Sequence, residues 1–215
     1  MINLKGLLKF LPTIGILFFI GIYFYASKLY PGGSQIDVNS VGFDWFNNHW
    51  CNLMREYGLN GAINPAKPIA IVGITILCIS MIIFFFQFAN HFEKNRNWNL
   101  SIKISGTLGM LSAVFIFTKY HDIMTTILSI SGTVVIIGMI RALHNNHQTF
   151  FKTIGLFCIL IVALNNFFYY NQNLIKHSPV IQKTAFIVIL SWTISLNYLI
   201  NKQNMLQQRV KFIAS

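Results

Sequence analysis

The sequence predicts an all-α protein, a six-helix transmembrane bundle with a short amphipathic helix in one long outer loop. Three observations carry this expectation. Of the 215 residues, 54% are hydrophobic and 10% are charged, whereas a soluble domain is about 25% charged; a surface so poor in charge cannot face water all round. The apolar residues gather into six runs, most of them near the roughly 20 residues that a helix needs to cross a bilayer core. None of these runs alternates as the strands of a membrane barrel do, and a helix satisfies its own backbone hydrogen bonds in lipid.

The six spans cover about 8–25, 69–89, 104–118, 123–140, 150–170 and 184–200, and form a single polytopic domain over 1–215. The first, "KFLPTIGILFFIGIYFY", follows Lys5 and Lys9, as the apolar part of a signal peptide would. Its exit, "YASKLYPGG", offers no clean small-x-small cleavage site, so the segment is expected to be retained. The third run, "ISGTLGMLSAVFIFT", is short. Gly106, Gly109, Gly132 and Gly138 in the third and fourth runs suit close helix packing. Cys78 and Cys158 lie in apolar runs and read as small core residues. Cys51 has no evident partner, so no disulfide framework is implied.

The formal net charge of +11 reads as the basic excess of cytoplasmic loops and not as a nucleic-acid surface, because no groove-reading motif accompanies it. With the N-terminus cytoplasmic, Lys5, Lys9, Lys94, Arg96, Lys103, Arg141, Lys152, Lys202, Arg209 and Lys211 fall inside. Lys28, Arg55, Lys67, Lys119, Lys176 and Lys183 fall outside. The bias predicts a multi-pass protein of a bacterial cytoplasmic membrane with both termini cytoplasmic. The acids sort more sharply: Asp37, Asp44, Glu56 and Asp122 lie outside, with His49, His121 and His177, and only Glu93 lies inside.

Most of this polar chemistry sits in the outer loop 27–68, which is long for a connection. Pro31 and Gly32 suit the centre of a type II turn, and Tyr30 suits the headgroup level. In "DWFNNHWCNLMREYG", Phe43, Phe46, Trp50, Leu53 and Tyr57 recur at steps of three and four. That spacing predicts an amphipathic helix over Asp44–Tyr57, with Asp44 as N-cap and Gly58 or Gly61 as its stop. The helix is expected at the interface or folded over the bundle's mouth.

A second cluster lies in the turn "FTKYHDIMTT", where Tyr120, His121 and Asp122 are consecutive. Asp122 is placed to cap the fourth helix. The short third span would sink the turn toward the lipid, where an ionisable pair is a functional candidate. Asn165 and Asn166 lie near the outer end of the fifth span, where amides must face protein or water. His144 and His147 stand three apart with no acid or Cys nearby and read as a cytoplasmic loop.

The "YPGG" turn, the Asp–aromatic–Asn segment after it and the "HD" between spans three and four resemble the six-span prokaryotic membrane proteins grouped as domain-of-unknown-function family 998. The resemblance covers nearly the whole chain, although "VGFDWFNNHWCNLM" is richer in aromatics than the family pattern. It implies the architecture and carries no established activity.

Three functions fit these residues. The first is a membrane protein with a polar pocket at its outer face that binds a lipid, a peptide or an envelope partner; Tyr120, Asn165, Asn166, Trp45 and Arg55 are the pocket candidates. The second is an intramembrane hydrolase or lipid-modifying enzyme. Its acid–base candidates are His121, Asp122, His49, Asp44 and Glu56, since a carboxylate orients and charges an imidazole; His49, His121 and Asp122 could together hold zinc. The third is a transporter, which the scarcity of ionisable residues in the spans disfavours. No nucleophile elbow, HExxH or phosphate loop is present.

Overall fold

The structure, a computed structural model, describes residues 8–213, with side chains described as far as 208; Lys5 lies outside the described residues. Six α-helices follow in order: α1 Leu11–Leu29, α2 Lys67–Phe92, α3 Arg96–Val114, α4 His121–Asn145, α5 Thr149–Tyr170 and α6 Ser178–Ile213. Single 3₁₀ turns stand at Trp50–Met54 and Ile175–His177. Among the described residues there is no sheet, only two isolated bridges, Gly32 to Val41 and Tyr57 to Ile63. Proline opens α1 and α2, where its missing N–H has no intrahelical acceptor to lose.

Five of the helices, α1, α2, α4, α5 and α6, are long and apolar enough to cross a membrane. The chain is a multi-pass helical membrane protein by this measure. The third span is corrected. Its helix begins at Arg96, because the Asn95 side chain accepts from the N–H groups of Asn97 and Trp98, and it ends at Val114, so that the final "FIFT" is a turn. The apolar part of α3, from Ile104 on, is about 16 Å long, roughly half of a 30 Å hydrocarbon core.

The helices form a ring in chain order, α2–α3–α4–α5–α6, closed by α6 against α2, with α1 packed on both. The tight part is α1, α2 and α6, where Phe19, Tyr23, Phe84, Phe88 and Leu196 are fully buried. Gly15 brings α1 against Ser80 of α2, and Gly106 of α3 lies against the ring of Phe85; a Cβ at either would collide. A polar knot pins the same three helices. Asn197 donates to Gln87 Oε1 (2.9 Å) and to the Lys9 carbonyl (3.2 Å), and accepts from Thr13 Oγ1 (2.8 Å). Asn201 adds a second bond to the Lys9 carbonyl (3.1 Å). By contrast α4 and α5 bury little of their surface.

The loop between α1 and α2 is not the expected helix. Only Trp50–Met54 is helical, as one 3₁₀ turn. The reason is competition from side chains for backbone groups. Asp44 accepts from the Phe46 and Asn47 N–H groups (2.9 and 3.1 Å), as an N-cap does, but the turn it starts ends at Asn48, whose amide donates to the distant Gly33 carbonyl (2.8 Å). His49 is extended (ψ 149°), and so is Arg55 (ψ 154°). Trp50 and Leu53 are buried as the spacing predicted, but Phe46 is 72% and Tyr57 55% exposed, so half of the stripe faces outward. Gly58 and Gly61 stop no helix; they belong to a tight turn in which Gly58 N–H donates to the Ala62 carbonyl (2.8 Å).

A further expectation at the loop's entrance is corrected. No turn closes at Pro31–Gly32. Gly32 (φ +137°) bridges to Val41, and the Gly33 N–H (φ +80°) donates to the Ser40 carbonyl at 2.7 Å, conformations that favour glycine. Tyr30 is buried within the protein, and its hydroxyl accepts from the Leu59 N–H at 3.0 Å.

Asn64 holds the loop's exit. Its amide donates to the carbonyls of Leu53 (3.1 Å) and Arg55 (2.9 Å), and its Oδ1 accepts from the Ala66 N–H (3.1 Å). Asn64→Ala leaves these buried groups without partners and should cost about 1–3 kcal/mol. Thermal unfolding in detergent should show a drop of several degrees; an unchanged transition would mean that the loop contributes nothing to the fold's stability.

Candidate functional site

The loop is fastened to the start of α6 by three side chains. Ser178 Oγ lies 2.7 Å from His49 Nε2. Gln182 Oε1 accepts from the Trp50 N–H at 2.9 Å. Lys183 Nζ donates to the carbonyls of Asn48 (2.6 Å) and Pro179 (2.9 Å). Asn48 is itself fully buried and donates to the Gly33 carbonyl at 2.8 Å. The opening polar stretch of the loop is therefore a clamp, and it presses Trp50 into the bundle against Phe19, Tyr23 and Phe186.

Beneath this clamp lies a cavity of about 320 Å³, ringed by the helices and covered by Trp50, Cys51 and Met54 of the loop. Such a volume is at the low end of small-ligand sites, roughly 300–1,000 Å³. Along α4 the lining runs from His121 to Met139, a distance of about 27 Å by helical rise. Polar side chains gather at the loop end: His121, Thr125 and Ser129 from α4, Asn165, Asn166 and Tyr169 from α5, and Gln182 from α6. The deep part is apolar and aromatic, with Phe84, Phe85, Met139, Ile189 and Trp192 among its walls.

The two His clusters of the sequence meet on one ring. Tyr169 of α5 has His49 at 6.2 Å and His121 at 6.4 Å between ring centroids. The histidines differ in what they can do. His49 is 4% exposed, behind the cavity wall. Ser178 Oγ donates to the Ile175 carbonyl (2.7 Å), so it accepts from His49 Nε2–H, and Gln35 Nε2 donates to Nδ1 (3.3 Å). Both ring nitrogens are thus committed, and Ser178, fully buried, has no access for a substrate. His121 lines the cavity and pairs through Nδ1 with Asp122 Oδ1 at 3.1 Å.

The remaining candidates disperse. Asp122 does not cap α4: Tyr120 is the N-cap residue and makes no side-chain cap bond, while Asp122 stands in the first turn with its carboxylate 91% exposed. It still favours the helix N-terminus through the dipole. Asp44 is occupied by its own turn; burial would push its carboxyl up, but hydrogen bonds from Asn47 and the Phe46 N–H, with the Lys183 charge, hold it below the ordinary value. Glu56 pairs with Lys67 on the surface. Arg55 is exposed, and Trp45 packs on Phe24 and Phe43 outside the cavity. Tyr120 is half-exposed beneath Lys119. Of the five pocket candidates only Asn165 and Asn166 line the cavity.

His49 and the His121–Asp122 pair flank Tyr169 without forming a metal site: among the described residues no three His, Cys, Asp or Glu side chains gather to hold a metal. Cys51 is a free thiol whose acidity burial suppresses, which leaves it protonated and unreactive. Sequence reading missed Gln182, Lys183, Tyr169 and the polar stripe of α4. That stripe was legible, since His121, Thr125 and Ser129 recur at steps of four and Gly132 follows at three. Gly106 and Gly138 serve close packing as expected, against Phe85 and Ile102, but Gly132 fronts the cavity with open space at its Cβ position.

The burial of His49 has a measurable sign. Burial first, then the Lys183 charge, then His121, bring its pKa from 6.5 down to about 4. The unfolded chain therefore takes up this proton before the folded one. Stability is complete above pH 6.5 and is lost as the pH falls toward 4, with a slope of at most about 1.4 kcal/mol per pH unit. His49→Gln should flatten the slope in thermal unfolding followed across this window. An identical pH dependence in the two proteins would assign the effect to another group.

No family model, curated protein or solved structure matches the chain, so what the cavity holds is read from its own residues.

Proposed function

We propose that this integral membrane protein holds one single-chain amphiphile, a lipid or lipid-like molecule, inside its bundle, with the polar head at the loop end. The observation that carries this reading is the cavity's polarity gradient: hydrogen-bonding side chains at one end, an apolar aromatic channel at the other, and a span of about 27 Å along α4. A volume of about 320 Å³ drawn out over that length suits one chain and not two. The loose packing of α4 and α5 supports entry from the bilayer between helices.

A second reading, acid–base chemistry at the mouth, has one supporting observation. His121 with Asp122 is the His–carboxylate pair that reaches the cavity. No activated nucleophile stands beside it, so binding is preferred. The resemblance to domain-of-unknown-function family 998 stays a proposal of architecture alone.

Gly132→Phe tests the binding reading. Its side chain enters open space, and replacing a helix glycine favours the helix by up to about 1 kcal/mol. The variant should keep or raise the melting temperature while losing at least ten-fold of any co-purified amphiphile, measured by mass spectrometry of solvent extracts. Equal lipid retention in variant and parent would sink the proposal.

The orientation belongs to the same proposal. The assignment by sequence of ten bases to the side away from the loop and six to the loop side supports an extracytoplasmic loop. In a background without native cysteines, Asn39→Cys should react with an impermeant thiol reagent in sealed cells and Asn145→Cys should not; both positions are exposed. The reverse labelling pattern would invert the topology.

A further inference from the structure

We infer that the head of the bound amphiphile is uncharged and carries acceptor oxygens, as in a monoacylglycerol or a long-chain alcohol, ester or ketone. The inference rests on the single-chain reading above and names the ligand class for that cavity.

The first observation is the charge of the lining. No Asp, Glu, Lys or Arg contributes to it, and His121 is its one titratable base. The nearby charges are turned elsewhere. Lys183 is committed to two backbone carbonyls, and the Asp122 carboxylate is 91% exposed. An ionised phosphate, carboxylate or ammonium drawn beneath Trp50 would leave water without a counter-charge, which is costly.

The second observation is a buried donor at the cavity that has no partner. The Trp50 indole Nε1–H is buried and has no partner among the described residues, although Trp50 itself is a wall of the cavity. The half-buried side-chain amides of Asn165 and Asn166 line the same space and can both donate and accept. A buried donor without a partner is rare in a folded protein and costs free energy until something accepts from it. A carbonyl, ester or hydroxyl oxygen accepts from such groups without bringing a charge. An ammonium head would meet no carboxylate in the lining and would leave the Trp50 N–H without an acceptor.

Fluorescence separates the alternatives. The cavity holds Trp50 and Trp192, so a Trp45→Phe, Trp98→Phe protein reports from it alone. This protein, in phosphatidylcholine nanodiscs at a pH near 8, is titrated with dibrominated stearoyl glycerol, dibrominated stearate or a dibrominated stearyl trimethylammonium. The neutral glyceride should quench saturably, at least ten-fold more tightly than either ion, and Gly132→Phe should abolish the saturable part. Tighter or equal binding of an ion overturns the head-group inference and leaves the single-chain reading standing. Absence of saturable quenching by all three overturns both.

Discussion

The fastening of the outer loop to the first turns of α6 is the constraint on which the rest of the site depends. A backbone that dips into an apolar bundle must find partners for its N–H and carbonyl groups. Residues 48–50 find them on α6: Lys183 binds the Asn48 carbonyl, Gln182 receives the Trp50 N–H, and Ser178 receives His49. Ser178 and Gln182, four residues apart, share one face of the helix, and Lys183 stands next to Gln182. The loop is thus held along a line, and Trp50 and Leu53 are carried into the bundle as a cover. Lys183 is an unusual fastener. Buried lysines are rare unless their ammonium is bonded, and here two carbonyls take it, while Asp44 supplies a favourable field without a direct contact.

The opposite end is closed by other means. The Glu93 carboxylate, 3% exposed, meets Arg141 at 2.6 Å and also accepts from the Asn95 N–H at 2.8 Å. Arg141 lies over the ring of Trp98 at 5.3 Å. The pair joins the α2–α3 turn to the end of α4, so the acid that stood apart in the sequence has a structural use. Asn197 and Asn201 do the same for α1 and α6. Both ends are therefore tied by polar side chains, and at the cavity between them the buried Trp50 indole N–H is left without a partner among the described residues.

This division explains why the helices differ so much in burial. Packing of α1, α2 and α6 is dense because glycines and a polar knot set their separation. The helices α4 and α5 bury less of their surface; α3 packs along α4, and other sides of α4 and α5 front the cavity. So thin a wall suits the entry from the bilayer proposed above.

The sequence by itself determined the helical membrane class, because no other backbone satisfies its hydrogen bonds in long apolar runs. It also determined which residues lacked an apolar excuse: His49, His121, Asn165 and Asn166 stood out for their chemistry. It could not determine the loop. The spacing of Phe43, Phe46, Trp50, Leu53 and Tyr57 reads as a helix, yet the side chains of Asn48 and His49 take partners that a helix would have denied them. Those partners, at Gly33 and Ser178, are distant in sequence, so only tertiary structure decides between the two outcomes. The same holds for the site. Asp122 and Glu56 have the residue type of catalytic acids but point to solvent or to Lys67, while Tyr169 and Gln182 gain their positions from the packing of α5 and α6. Residue type is local and legible; convergence is a property of the folded ring.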